Sequence, residues 1–213
     1  PDMRLQDLVC VGLGADRFYH RPIFQNGWVS KTESWRCVLA IDPAGRGKDE
    51  LAWAVLAELN GNLFLLESGG STLGYADEVL QYLSETAKKW DVNYVVAESN
   101  MGDGMFSALL KPHLTRTHPC TIEEVRHNIR KEERLCDTLG PLIQQHRLIV
   151  NSRVIKNDYR LTDEDPEHGY SRSLFWQASR LTQERNCLSH DDRLDALAIA
   201  VGFFVESAAQ DQQ

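Results

Sequence analysis

Apolar runs and amphipathic stretches alternate along most of this chain. Cys37-Val38-Leu39-Ala40-Ile41 is an unbroken apolar run stopped by Asp42-Pro43 and a glycine-containing segment. That is the pattern of a buried central strand with Asp42 at its carboxyl end. Residues from Leu51 to Leu66 read as two strands about Asn60-Gly61, a strong hairpin signal. Tyr75 to Lys89 places Ala76, Val79, Leu80, Leu83 and Ala87 on one face of a helix. Tyr94 to Ala97 is a further strand, ended by Glu98, after which Ser99 to Gly104 turns into another helix. Thr121 to Val125 and Leu148 to Val150 read as short strands. Between them a helix buries Leu135, Leu139, Leu142 and Ile143, and Pro141 is expected to kink or restart it. Asp163 to His168 reads as a polar, mobile loop, and Leu174 to Leu181 returns to core-like character. A last helix opens near Ser189, a good N-cap residue, with Asp192 completing a capping-box-like pattern. Leu194, Leu197, Ala198, Val201 and Val205 share its apolar face.

Residues 1–36 lack such periodicity and read as a linker or arm. Residues 37–207 form the expected domain, and 208–213 a frayed polar tail. The first residue is Pro rather than Met, which fits a piece of a longer protein. The chain has 213 residues and is 42% hydrophobic, enough to bury one substantial core. There is no apolar run long enough to span a membrane and no signal-peptide pattern. The five cysteines are widely spaced and form no Cys-x-x-Cys, which fits reduced thiols better than disulfides or zinc.

Charge narrows the picture. The net charge of −8 argues against indiscriminate nucleic-acid binding, yet it is unevenly spread. Residues 111–160 hold ten basic and six acidic side chains, whereas acids outnumber bases on both sides. Arg126, Arg130, Lys131 and Arg134 lie in that basic stretch and are candidates for contacts to a phosphate backbone. Gly45-Arg46-Gly47-Lys48-Asp49 invites comparison with a phosphate loop, but the required first Gly is Asp42 and the final Ser/Thr is Asp49.

The acids carry the chemistry. Asp42 and Glu98 each end an apolar run; if the two strands lie parallel, both carboxylates meet at one sheet edge, where α/β folds build sites. Asp191, Asp192 and Asp195 fall within five residues at a helix start. Asp192 and Asp195 share a side of that helix, as do Asp191 and Asp195. First-turn acids also complement a helix dipole, but three beside His190 point to a divalent-metal site.

Four segments together carry a family resemblance. They are Ile41-Asp42-Pro43-Ala44-Gly45-Arg46-Gly47-Lys48-Asp49-Glu50, Glu98-Ser99-Asn100-Met101-Gly102-Asp103-Gly104-Met105-Phe106, Cys136-Asp137-Thr138-Leu139 and His190-Asp191-Asp192-Arg193-Leu194-Asp195-Ala196-Leu197-Ala198. Over about residues 37–206 the chain closely resembles the C-terminal nuclease domain of the large terminase subunit of short-tailed bacteriophages, within the RNase H-like nucleases. The last segment also resembles the acidic helix of Holliday-junction resolvases. The resemblance implies an RNase H-like (resolvase/integrase-type) mixed five-stranded sheet, its second strand antiparallel, with helices on both faces.

It also implies a metal-dependent endonuclease that cuts concatemeric viral double-stranded DNA during genome packaging in the host cytoplasm. The implied partners are DNA, an N-terminal ATPase domain of the same polypeptide, the portal and procapsid, and the small terminase subunit. No Walker A pattern occurs here, so the motor that the resemblance implies would lie outside this chain. The family's acids fall on Asp42, Glu98 and the Asp191-Asp192 pair, with Asp192 the favoured direct ligand and Asp191 and Asp195 secondary. His190 would shuttle a proton or orient Asp192. Two Mg²⁺ or Mn²⁺ ions about 3.5–4 Å apart would clamp the scissile phosphate, because hard oxygen ligands select such ions. Backbone contacts carry little sequence information, so cutting should be weakly sequence-specific. A resolvase-like nuclease and a non-catalytic module that docks DNA or the portal are the alternatives.

Overall fold

The structure is a computed structural model that describes residues 3–4, 7–12, 18–19, 28–29, 35–43, 49–99 and 104–210. In chain order its strands are β1 (Met3–Arg4), β2 (Leu8–Val11), β3 (Phe18–Tyr19), β4 (Trp28–Val29), β5 (Arg36–Asp42), β6 (Leu51–Leu59), β7 (Asn62–Ser71), β8 (Tyr94–Glu98), β9 (Thr121–Val125) and β10 (Leu148–Asn151). The helices are α1 (Asp77–Trp90), α2 (Met105–Thr117), α3 (Lys131–Gln144), α4 (Ser152–Glu164), α5 (Gly169–Arg172), α6 (Leu174–Arg180) and α7 (Asp192–Gln210). The glycine-containing segment 44–48, the turn 100–103 and residues 211–213 lie outside the described residues.

The hairpin is the clearest local element. Asn60 and Gly61 both take positive φ, 53° and 74°, as a tight turn between twisted antiparallel strands requires. β5 pairs antiparallel with β6 and parallel with β8, and β8 pairs parallel with β9. The run β7-β6-β5-β8-β9 is therefore the expected five-stranded core with an antiparallel second strand. The sheet is larger than expected: among the described residues it has eight strands in the order β3-β2-β10-β7-β6-β5-β8-β9. β10 adds parallel to β7, and β2 adds antiparallel to β10. Leu8–Val11 is thus part of the sheet, although it falls in the segment expected to be a linker or arm. Its four consecutive apolar residues are buried, and β10 offers them an open edge.

Helices cover both faces, and the alternation of side chains along each strand decides which helices meet which residues. Leu39, Ile41, Trp53, Val55 and Val95 join one core with Leu83, Phe106 and Leu110 from α1 and α2. Val38, Ala40, Ala52, Ala54 and Val96 join the other core with α3, α4, α6 and α7. Alanines on the middle strands share this core with Ala196, Ala198 and Ala200 of α7. Asp42 and Glu98 share the parity of Ala40 and Val96 and so emerge on the α7 side.

Three local expectations change. α3 runs through Pro141 as one helix rather than restarting there. α4 extends to Glu164, and the remaining turn is tight: His168 N–H donates to Asp165 Oδ1 at 3.0 Å, and Gly169 N–H to Asp165 C=O at 2.7 Å. α7 continues to Gln210, past the boundary expected at 207, and Val205 on it is exposed while Phe204 is buried.

If Leu8 belongs to the core, Leu8→Ala should lower the stability of the chain by about 2–5 kcal/mol. Urea unfolding followed by circular dichroism measures this. No loss would place residues 8–11 outside the cooperative unit.

Candidate metal centre

Asp42 ends β5 and Glu98 ends β8. The parallel register pairs Ile41 with Ala97, so the next step along both strands brings the two acids side by side. Both are buried, with 8% and 6% of their surfaces exposed. α7 arrives above them with its amino terminus. Its first helical hydrogen bond runs from Asp195 N–H to Asp191 C=O at 2.8 Å, so Asp191, not Ser189, stands at the N-cap. The capping-box pairing of Ser189 with Asp192 does not form. Instead Asp192 Oδ2 accepts a long hydrogen bond of 3.4 Å from Glu50 N–H.

Two sets of potential ligand atoms result, the atoms of each lying within 4.8 Å of one another. One is Asp42, Glu98 and Asp195; the other is Asp49, His190 and Asp192. The expectation from the motifs is Asp192 beside Asp42 and Glu98, with Asp195 secondary. The structure gives Asp195 that place, because a carboxylate one turn into the helix reaches down to the strand ends. Asp192 is nevertheless close enough to Asp42 to repel it. In the sequence Asp49 stands out only as the residue that spoils a phosphate loop. Its approach to His190 depends on the fold bringing the start of β6 to α7, which no spacing reveals.

The basic residues divide. Lys131 Nζ lies 2.8 Å from Asp191 Oδ1 and 2.7 Å from Asp195 Oδ2. Arg134 pairs with Asp195 and reaches Glu98 at 3.9 Å. Both side chains turn into the acid cluster rather than outward to a DNA backbone. The one-turn spacing that resembles a basic stripe instead lines up with the acids of α7. Arg126 and Arg130 are exposed, and Arg130 donates to Gln183 C=O at 2.5 Å.

Burial and like charges leave their mark. The Asp42 carboxyl is held well above its ordinary range, first by burial, then by Asp195, with Glu98 and Asp192 adding to the effect against Lys131. Asp192 is raised to about 6, mainly by burial, with Asp191 and Asp49 contributing and Lys131 opposing. Burial works against the Lys131 ammonium, but Asp195 and Asp191 outweigh it and raise its pKa. Asp42 has no hydrogen-bond or ion-pair partner among the described residues. A buried carboxylate without a partner among the described residues, repelled by three others, fits a bound cation. The oxygen-rich donor set fits a hard divalent ion, while His190 gives the second set one imidazole.

Such a sheet, with acids gathered from two adjacent parallel strand ends and a crossing helix, defines an RNase H-like domain. The family model for "Terminase Bacteriophage T7, Ribonuclease H-like domain" matches residues 41–148, just over half of the chain. The chain belongs to this terminase family. It is 42% identical over 203 residues to the "Terminase, large subunit" of Enterobacteria phage T3. That match covers 94% of this chain but 34% of the relative, so the chain spans about a third of its length.

Two solved structures share the fold. The human cytomegalovirus terminase nuclease domain, Mn-soaked and inhibitor-bound, superposes with a TM-score of 0.55 at 11% identity, over 81% of this chain and 84% of that one. A mutant gp2c of the large terminase subunit from bacteriophage Sf6, with calcium, gives 0.52 at 13% identity, over 82% and 90%. No helix among the described residues is long and apolar enough to cross a membrane.

The raised Asp192 pKa sets a sign for stability. Below its ordinary 3.8, Asp192 is protonated in both folded and unfolded chains, and above about 6 it is ionised in both. Between those values the folded chain binds more protons, so in metal-free protein this contribution to stability declines as pH rises. Asp192→Asn should therefore raise the metal-free Tm by about 5 °C at pH 7.5, with the difference vanishing near pH 4. Differential scanning calorimetry across pH tests this; a variant less stable than the unaltered chain at both pH values would refute it.

Proposed function

We propose that the chain is a metal-dependent endodeoxyribonuclease that cuts concatemeric viral double-stranded DNA during genome packaging. The observation that carries this reading is the convergence of Asp42, Glu98 and Asp195 beside Asp49, His190 and Asp192 in a terminase-family chain. Asp42, Glu98 and Asp195 would hold one Mg²⁺ or Mn²⁺ ion, and Asp192 with Asp49 and His190 a second. Asp42 is central because it borders both sets. Bound divalent ions supply charge neutralisation at the scissile phosphate and lower the pKa of the attacking water.

The protein's own groups have distinct roles. Lys131 and Arg134 offset the mutual repulsion of the acids and fix Asp195 and Asp191 in place. His190 is near enough to Asp192 to orient it or to exchange a proton at its imidazole. Its Nδ1 is buried without a hydrogen-bond partner among the described residues, which leaves that atom available. Exposed Arg126 and Arg130 are the remaining candidates for phosphate contacts of low sequence specificity. In this reading the ATPase domain of the same polypeptide drives translocation in the host cytoplasm. The portal, procapsid and small terminase subunit bring the DNA into place.

Plasmid cleavage by this chain with Mg²⁺, Mn²⁺ or EDTA is the test. Nicking and linearisation should require the metal. Asp42→Asn and Asp195→Asn should each reduce cleavage by at least about 100-fold, since loss of a ligand exceeds the loss of a supporting group. Metal-independent cleavage, or full activity in Asp42→Asn, would refute the assignment. Absence of cleavage by folded, metal-loaded chain would favour a docking role.

A further inference from the structure

A second cluster of charges lies just beneath the metal centre and touches none of the proposed ligand atoms with its side chains. Arg193, the residue after Asp192, lies about 100° further round α7. Its Nε and Nη2 donate to Glu50 Oε2 and Oε1 at 3.1 and 3.3 Å, and its Nη1 lies 3.6 Å from Asp158 Oδ1. All three side chains are buried. Asp158 is itself fully engaged: Ser173 Oγ donates to it at 2.6 Å, Leu174 N–H at 2.9 Å and Phe175 N–H at 3.0 Å. These donors open α6, so Asp158 anchors the start of that helix.

α6 returns the connection. Gln177 Oε1 accepts from Leu194 N–H at 3.0 Å, and Gln177 Nε2 donates to Ser171 C=O at 3.0 Å. An otherwise unpaired N–H in the first turn of α7 is thus capped by a side chain from another helix. Glu50 completes the circuit, because its backbone N–H faces Asp192 while its carboxylate holds Arg193. The sheet makes room for this arrangement at one residue. A Cβ on Gly70 of β7 would lie 2.5 Å from Glu50 Oε2 and 3.1 Å from Arg193 Nε.

Burying such charges is a poor way to gain stability, since apolar groups of similar volume often serve as well. What charges add is direction. We propose that Glu50, Arg193 and Asp158 form a positioning set that fixes the first turn of α7 and thereby holds Asp192 where it can bind a divalent cation. The inference rests on the metal-dependent reading above. It also gives the α4–α6 segment a role, since that segment supplies Asp158 and Gln177, which grip α7 on the side of Arg193 and Leu194.

Mn²⁺ binding to the whole chain, without DNA, tests the proposal by isothermal titration calorimetry. Glu50→Gln keeps the shape and loses the ion pair. Glu50→Leu combined with Arg193→Met removes one negative and one positive charge, leaving the net charge unchanged and the volume filled. Both should weaken Mn²⁺ binding about tenfold, as loss of supporting partners does at other metal sites. Ile149→Val, a cavity in β10 away from the site, should lower Tm without changing Mn²⁺ affinity. If the folded double variant binds Mn²⁺ as tightly as the unaltered chain, the positioning role is wrong. If Ile149→Val weakens binding as much as the double variant, the effect is one of general stability and the proposal also fails. Absence of Mn²⁺ binding by the unaltered chain would overturn the metal reading itself, and this inference with it.

Discussion

Four carboxylates share a small, poorly hydrated space at the centre of this molecule, and their mutual repulsion constrains everything around them. Asp42 and Glu98 are delivered by adjacent strand ends, and Asp192 and Asp195 by the first turn of α7. Charges this close cannot all ionise at ordinary cost once water is removed, which is why Asp42 and Asp192 hold protons more tightly than exposed carboxyls. The chain relieves part of the strain with Lys131 and Arg134, both from α3. The relief is unequal. Asp195 is ion-paired to two cations, whereas Asp42 has no ion pair among the described residues and feels Lys131 only at longer range. The remaining imbalance is what a divalent ion would correct.

The fold can sustain this imbalance because the acids are attached to well-packed elements. β5 and β8 lie inside a broad sheet with apolar layers on both faces. α7 packs on this sheet in one buried core, and Asp195 in its first turn reaches the strand ends. β10 and β2 extend the sheet on the far side, which widens the platform without approaching the site. The large buried area supplies the favourable free energy against which a repulsive cluster can be maintained.

Electrostatics also separates two kinds of basic residue that look alike along the chain. Lys131 and Arg134 serve the acids from within, and Arg126 and Arg130 remain at the surface. A positive stretch beside a nuclease-type site therefore need not be wholly a DNA-binding surface. Half of it here neutralises the protein's own charge. The buried Glu50–Arg193 pair follows the same logic, since one side of α7 presents acids while another is tied down by an arginine.

Short-range patterns determined much of this. The apolar run from Cys37 to Ile41, the Asn60-Gly61 turn and the strand ending at Glu98 are local features whose physical causes lie within a few residues. They indicated the central strands with an acid at the end of each and, with the family segments, the RNase H-like fold; the parallel pairing that sets those two acids side by side came from the structure. Position along a helix also narrowed the third acid to Asp191, Asp192 or Asp195. Tertiary structure alone decided that Asp195 joins Asp42 and Glu98, that Lys131 and Arg134 face inward, and that Leu8–Val11 completes the sheet. It also brought Asp49 and Glu50 to α7, the Glu50 contacts spanning 142 and 143 positions of chain. Each of those outcomes depends on how far α7 overhangs the sheet and which partner fills an open edge or a buried charge. Such distances are set by packing between remote segments, and a one-dimensional pattern does not encode them residue by residue.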